Sequence, residues 1–96
     1  MKHELMDQPA YLLDERRRVV VLEAIREVSS YRGWNLVAAH VRGNHIHAVV
    51  EADVRPEIVM NAFKAYASRA MNLTGIDRLN RKRWARHGST RWLWNV

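Results

Sequence analysis

The centre of the chain has the pattern of a β-hairpin. Two apolar runs rich in β-branched residues, Trp34 to Val41 and His45 to Ala52, are separated only by Arg42-Gly43-Asn44. Gly and Asn are favoured in tight turns, so the pattern predicts two antiparallel strands joined by a short loop. This hairpin constrains the fold most strongly, because it places antiparallel β structure in the middle of a chain of only 96 residues.

Helical patterns flank the hairpin on both sides. The stretch from Asp14 to Tyr31 is predicted to form a helix, with Asp14 as N-cap and Gly33 as its stop. The stretch from Arg55 to Leu73 is predicted to form a second helix, with a proline in its first turn and Gly75 beyond its end. Both stretches carry an apolar stripe that would face a core. The stripe residues are Val21, Ala24, Ile25 and Val28 in the first helix, and Val59, Ala62, Phe63, Tyr66 and Ala70 in the second.

The remaining segments suggest further extended structure. Ser89 to Trp94 alternates as a strand would, and Gln8 to Leu13 could form a short extended piece. The order helix, hairpin, helix, strand predicts an α+β fold of the ferredoxin-like type, with two helices on one face of a small antiparallel sheet. A chain of this length has room for one core, so we expect a single domain over residues 1–96.

Two histidines, His45 and His47, lie one residue apart in the second predicted strand. Successive side chains of a strand point to opposite faces, so the two imidazoles share one face. The other face, with Ile46, Ala48 and Val50, is entirely apolar and is the better partner for the helices. We therefore expect His45 and His47 on the open face of the sheet.

The length of the loop decides whether a third histidine joins them. With Gly43-Asn44 as a two-residue loop, His40 pairs with His47, and His40, His45 and His47 lie in one patch. With a loop one residue longer, Ala39 faces His47 and His40 points towards the helices. Both registers are compatible with the sequence, and the Gly-Asn pair favours the shorter loop.

Imidazoles in this arrangement are suited to hold a divalent metal ion. Neutral imidazole is a good ligand for Mn²⁺ and Zn²⁺ and is tolerated by Mg²⁺. A site with only two or three protein ligands leaves coordination positions of the ion open. A catalytic metal needs such open positions, for example to polarise a phosphate. A strand histidine can equally be a satisfied polar group, and the His-x-His spacing alone does not separate these two interpretations.

The charge of the chain favours a polyanionic partner. The net charge is +6 and the pI about 10.5, which favours nucleic acid. The segment from Arg78 to Arg91 has no acidic residue, and tryptophans lie within and after it. This combination suits stacking on unpaired bases, although a solvated basic tail has a similar composition. The residues predicted to bind DNA are Arg78, Arg81, Lys82, Arg83, Arg86, Arg91, Trp92 and Trp94.

Several other classes of protein are disfavoured by the sequence. No apolar run is long enough to cross a membrane, and the N-terminus lacks the apolar segment of a secretory signal. The absence of cysteine excludes disulfides and thiolate metal sites. We expect a cytoplasmic protein.

The segment Asn44-His45-Ile46-His47 resembles the motif of the HUH endonuclease superfamily, in which two histidines flank one hydrophobic residue. The chain is most similar to the single-tyrosine transposases of that superfamily, including the REP-associated branch. The similarity extends to Arg32-Gly33-Trp34-Asn35-Leu36, to Lys64-Ala65-Tyr66-Ala67-Ser68-Arg69, and to the block from Arg83 to Trp94. It covers residues 11–95, and the combination is far more specific than the histidine pair alone.

The resemblance implies an enzyme that binds folded single-stranded DNA, often a hairpin beside a cleavage site. In such enzymes a divalent ion, Mg²⁺ or Mn²⁺, on the two histidines activates a phosphate, and a tyrosine attacks it and becomes joined to the 5′ end of the DNA. His45 and His47 would be the metal ligands here, with His40 as a third ligand in the shorter-loop register. The family commonly works as dimers, so we expect a homodimer with a continued sheet or paired hairpins.

The chain also departs from the family pattern. The helix with the nucleophilic tyrosine normally follows the block that ends near Trp94, and we expect it to be missing, together with a polar metal ligand that follows the tyrosine. The strand that normally precedes Tyr11 is expected to be short or absent. Tyr66 is the remaining candidate nucleophile, although its place on an apolar stripe fits a core role better. His87 could complete the metal site, although a surface or DNA contact fits it better.

Three functions are compatible with these observations. The first is a metal-dependent transposase domain that nicks single-stranded DNA. The second is a non-catalytic, domesticated module that binds DNA hairpins. The third is a small basic α+β protein whose histidines merely pack.

Overall fold

The chain folds into a four-stranded antiparallel sheet with two helices packed on one face. The computed structural model describes residues 2–7, 9, 13–75 and 89–93. The elements follow in the order β1 (Lys2–Asp7), α1 (Glu15–Arg32), β2 (Asn35–Val41), β3 (Ile46–Glu51), α2 (Pro56–Leu73) and β4 (Ser89–Leu93). The strand order in the sheet is β2-β3-β1-β4, and each neighbouring pair is antiparallel. The predicted α+β, ferredoxin-like fold is therefore confirmed, and so is the predicted final strand.

The expectation of a short or absent first strand was wrong. β1 has six residues and lies in the middle of the sheet, where Leu5 pairs with Ala48 of β3 on one side and with Thr90 of β4 on the other. Its sequence hides it, because Lys2 to Asp7 has few apolar residues and the buried face contains His3 and Asp7 as well as Leu5. Most of the predicted extended piece from Gln8 to Leu13 lies outside the described residues.

The first helix has the predicted ends. The side chain of Asp14 accepts a hydrogen bond from the backbone N–H of Arg17, as an N-cap does, and also pairs with the Arg17 guanidinium at 2.7 Å. At the other end Gly33 has a φ of 74°, and its N–H donates to carbonyls of the last turn. The predicted stripe of α1, from Val21 to Val28, is buried.

The buried face of α2 differs in part from the predicted stripe. Val59 and Phe63 are buried as predicted, whereas Ala62, Tyr66 and Ala70 lie at the margin of the core. Because α2 packs against α1 as well as the sheet, its buried face is rotated from the predicted stripe. The remaining buried residues of α2 are Pro56, Met60, Ala67 and Met71.

The core lies between the two helices and one face of the sheet. On β3, Ile46, Ala48 and Val50 are buried and contribute to this core, while the residues between them are only half-buried. The second face of the sheet carries no helix in the described part of the chain. Neither described helix is long and apolar enough to cross a membrane.

Candidate functional site

His47 lies on the sheet face that the helices leave open. Strand alternation places it opposite the buried Ile46 and Ala48, on the same face as Val49 and Glu51. Its side chain is 30% exposed, so the imidazole is partly shielded by its neighbours and still reachable from solvent. We call this surface of β1, β2 and β3 the open face.

The hairpin adopts the shorter of the two predicted registers. His40 pairs with His47, and the backbone N–H of Arg42 donates to the carbonyl of His45 at 2.9 Å. The rings of His40 and His47 are parallel within 8°, with centroids 6.5 Å apart. His40 therefore joins His47 on the open face, as the two-residue loop predicts.

A β-bulge makes this placement possible. The ladder pairs Leu36 with Val50 and Ala38 with Val49, so Val37 is an extra residue on β2. Leu36 and Val41 both pack against the core although they are five positions apart, because the bulge changes the alternation between them. Without it, Leu36 and His40 would lie on the same face.

His45 is held one position before β3. It is half-buried, and its Nδ1 donates to the side-chain oxygen of Asn44 at 2.9 Å. The expected patch of three imidazoles does not form a metal-binding group, since the described residues contain no set of three His, Cys, Asp or Glu side chains placed to hold one ion.

A carboxylate that the sequence analysis did not identify lies beside His47. Glu4 Oε2 is 3.5 Å from His47 Nε2, and the Glu4 side chain is 17% exposed. Glu4 belongs to β1, where it pairs with Val49 of the neighbouring strand β3. Its side chain therefore reaches His47 as a diagonal cross-strand neighbour. Recognising β1 as a strand would have been the only signal for it.

The opposite face of the same strands carries a buried ion pair. Lys64 of α2 reaches Asp7 of β1, with Nζ 2.6 Å from Oδ2, and the Asp7 side chain is only 1% exposed. Asp7 pairs with Ile46, the residue between the two histidines. Burial lowers the pKa of the Lys64 ammonium from its ordinary value, because desolvation disfavours the charged form.

Comparison with known proteins identifies the family of this chain. The model of the family described as "Transposase IS200 like" matches residues 9–92. The chain belongs to the IS200-like transposase family. A search of the curated proteins gave no significant match.

Solved structures of low sequence identity share the fold of this chain. A candidate transposase from Deinococcus radiodurans superposes with a TM-score of 0.81 at 14% identity, over 99% of this chain and 80% of that one. A REP-associated tyrosine transposase bound to a REP hairpin superposes with a TM-score of 0.69 at 15% identity, over 99% of this chain. This chain spans 57% of the length of that second protein.

In this IS200-like protein Tyr66 lies in the helix layer. Its ring packs against the core from α2, and the Arg69 guanidinium lies over it, 5.3 Å from the ring centroid. The sheet therefore separates Tyr66 from His47. This placement supports a packing role for Tyr66.

The predicted DNA-binding residues are mostly not described. The backbones of Arg91 and Trp92 belong to β4, where they pair with Glu4 and His3. His87, named as a further candidate for the metal site, is outside the described residues, as is most of the predicted DNA-binding set: Arg78, Arg81, Lys82, Arg83, Arg86 and Trp94.

Proposed function

We propose that this transposase-family chain binds single-stranded or hairpin DNA and that a divalent ion, Mg²⁺ or Mn²⁺, held by His45 and His47 serves to nick the bound strand. One observation carries the proposal. In an IS200-like transposase domain, the imidazole of His47 lies on the face of the sheet that the helices leave open. A phosphate can approach that face without displacing the core.

The residues at this site have the chemistry that such an ion needs. Because Nδ1 of His45 donates to Asn44, the neutral ring keeps Nε2 free to accept a metal. His47 lies on a strand whose other face is buried, so its backbone position is fixed by the core. A bound ion would polarise the phosphate and stabilise the oxygen that leaves. The protein would hold the two imidazoles in place and so fix the position of the ion.

Charge and fold support DNA as the ligand. The chain carries a net charge of +6, and six of its 16 Lys and Arg residues lie between positions 78 and 91 with no acidic residue among them. The REP-associated transposase of similar fold is bound to a REP hairpin. A DNA hairpin with a single-stranded flank is therefore the first ligand to test. We also propose that the protein is located in the cytoplasm.

The position of the tyrosines favours a second candidate function, a non-catalytic module that binds DNA hairpins. Tyr66 packs in the helix layer, and Tyr31 is exposed near the end of α1 in the same layer. Tyr11 lies outside the described residues. None of the tyrosines in the described part of the chain therefore shares the open face with His47.

A covalent-capture experiment separates the two functions. Single-stranded oligonucleotides that contain a hairpin, labelled at the 3′ end, are incubated with the protein and Mn²⁺ and resolved on a denaturing gel. A protein–DNA adduct that is lost in His45→Ala and His47→Ala supports nicking. Hairpin binding without an adduct supports the binding module and contradicts nicking by this chain. Loss of both binding and adduct contradicts both functions.

We also propose that the chain forms a homodimer. β2 lies at one edge of the sheet, and Val37 on that strand is 48% exposed. An exposed strand edge can pair with a second copy, which would continue the sheet or bring the two hairpins together. Light scattering at tens of micromolar should give the mass of a dimer, and a monomer mass would contradict this assignment.

A further inference from the structure

The hairpin places an arginine next to His45. Arg42 directly follows β2, and its backbone N–H donates to the carbonyl of His45 at 2.9 Å across the two-residue loop. Neighbours across an antiparallel pair have side chains on the same face, with β-carbons about 5 Å apart. The preceding pair, Val41 and Ile46, packs against the core, so alternation places Arg42 and His45 together at the hairpin end of the open face.

The guanidinium of Arg42 has no partner within the described part of the chain. Its side chain is exposed and makes no ion pair, hydrogen bond or ring contact there. Four other described arginines are engaged, two in ion pairs with neighbouring carboxylates and two over aromatic rings. These four are Arg17, Arg26, Arg32 and Arg69. The Arg42 guanidinium therefore remains available to an anion that approaches the open face.

A guanidinium in this position has the chemistry to bind a phosphate. Its planar fork donates two parallel hydrogen bonds to two oxygens of one phosphate group. It has no lone pair to offer, so it cannot take the place of an imidazole on a metal ion. An arginine and a divalent ion can therefore act on different oxygens of the same phosphate, and such pairs stabilise its charge together.

We propose that Arg42 binds the phosphate on which the divalent ion of His45 and His47 acts. This inference rests on the proposed function and deepens it, because it names a residue that recognises the DNA strand at that site. Arg42 would hold phosphate oxygens that the ion leaves free and so fix the orientation of the group. The DNA strand would then cross the open face at its hairpin end.

Arg55 provides a matched control. It is also exposed, and although it is the N-cap residue of α2 its side chain makes no capping hydrogen bond. It follows β3, at the end of that strand away from His45. Arg55→Ala removes the same charge as Arg42→Ala, and neither substitution should disturb the fold because both side chains are exposed.

DNA-binding titrations provide the first test. Fluorescence anisotropy is recorded with Mn²⁺ on a labelled DNA hairpin that carries a single-stranded flank. We expect Arg42→Ala to bind about tenfold more weakly than the wild type and to reduce the slope of log K against log salt by about 0.7. Arg42→Lys should keep most of the slope but bind more weakly, because a point charge lacks the fork. Arg55→Ala should bind within twofold of the wild type, and equal effects of the two alanine variants would overturn the inference.

Neutral phosphate analogues then locate the contact. Each phosphate of the single-stranded flank is replaced in turn by an uncharged methylphosphonate. At the contacted phosphate, Arg42→Ala should bind no more weakly than the wild type, and His45→Ala should lose its effect at the same position. An effect of Arg42→Ala that persists at every position would show that the arginine contacts a base or no DNA group, and would overturn the inference.

The outcomes separate this inference from the proposed function. If the wild type binds the hairpin and both Arg42 variants bind equally well, the inference fails and the proposed function stands. If the effect of Arg42→Ala vanishes at a phosphate where His45→Ala keeps its full effect, Arg42 acts away from the ion. That result overturns the inference and leaves DNA binding intact. If the wild type binds no hairpin, the proposed function and the inference fail together.

Discussion

Lys64 Nζ lies 2.6 Å from Asp7 Oδ2, so an ion pair ties α2 to the end of the central strand β1. Asp7 of β1 pairs with Ile46 of the neighbouring strand β3, the residue between the two histidines. Burying charges costs desolvation energy that the attraction between them only partly offsets. The pair therefore contributes more to the position of α2 and β1 than to net stability.

Removing one partner of this pair should destabilise the fold. Lys64→Met deprives the buried Asp7 carboxylate of its cation, and we expect a loss of about 3 kcal/mol in the free energy of unfolding. Replacing both groups, in Asp7→Leu with Lys64→Met, should bring stability to within about 1 kcal/mol of the wild type. Urea unfolding of the two single variants and the double variant measures the coupling. Additive losses would show that the two side chains do not interact.

The lowered pKa of Lys64 predicts a pH dependence. The unfolded chain keeps the ordinary value of 10.5, so between the lowered pKa and 10.5 it binds more protons than the folded protein. Stability therefore gains a contribution from Lys64 as the pH rises through this window. The difference in unfolding free energy between the wild type and Lys64→Met should increase as the pH rises towards 10.5. A constant or shrinking difference would contradict the lowered pKa.

His3 gives a test of the central position of β1. Its side chain is fully buried, and Nε2 donates to the carbonyl of Val54 at 2.8 Å. His3→Ala should cost about 2 kcal/mol, because it removes a buried hydrogen bond and leaves a cavity. Lys2→Ala, one position earlier and directed to the other face, should change stability by less than about 0.5 kcal/mol. Equal effects of the two substitutions would place β1 at the surface.

Much of the fold follows from local patterns in the sequence. The Asp14 cap, the Gly33 stop and the apolar stripe of α1 depend on residues close together in the chain, and all are found as predicted. The hairpin also follows, and its register is the one that the Gly-Asn loop favoured among the two that the sequence left open. These features are local, and the sequence therefore predicts them well.

The features that the sequence did not predict depend on distant pairing. β1 has no apolar run of its own, and its place in the sheet is set by β3 and β4 on either side. Without β1, neither the Glu4–His47 contact nor the Asp7–Lys64 pair can be anticipated. The Val37 bulge is similarly hidden, since nothing in Asn35–Val41 marks the extra residue. The histidines were predictable from spacing, and their acidic neighbours were not.

The basic segment predicts a specific change in the salt dependence of DNA binding. If three of its cations contact phosphates of single-stranded DNA, the triple variant Arg81→Ala, Lys82→Ala and Arg83→Ala should reduce the slope of log K against log salt by about 2. Anisotropy titrations with a labelled hairpin at several salt concentrations measure this slope.

A second triple variant controls for net charge. Arg16→Ala, Arg17→Ala and Arg18→Ala remove the same charge from the start of α1, in the helix layer, and should change the slope much less. Equal changes in both triple variants would show that the overall charge, and not the basic segment, governs binding.

The histidine side chains themselves test the central claim, that the open face holds a divalent ion on His45 and His47. The chain has five histidines, which are followed by NMR with labelled imidazoles as Mn²⁺ is added in substoichiometric amounts. Signals of His45 and His47 should broaden first, His40 next, and His3 last, because His3 is buried on the other face of the sheet. Broadening that begins at His3 or His87, or that affects all five equally, would contradict the account.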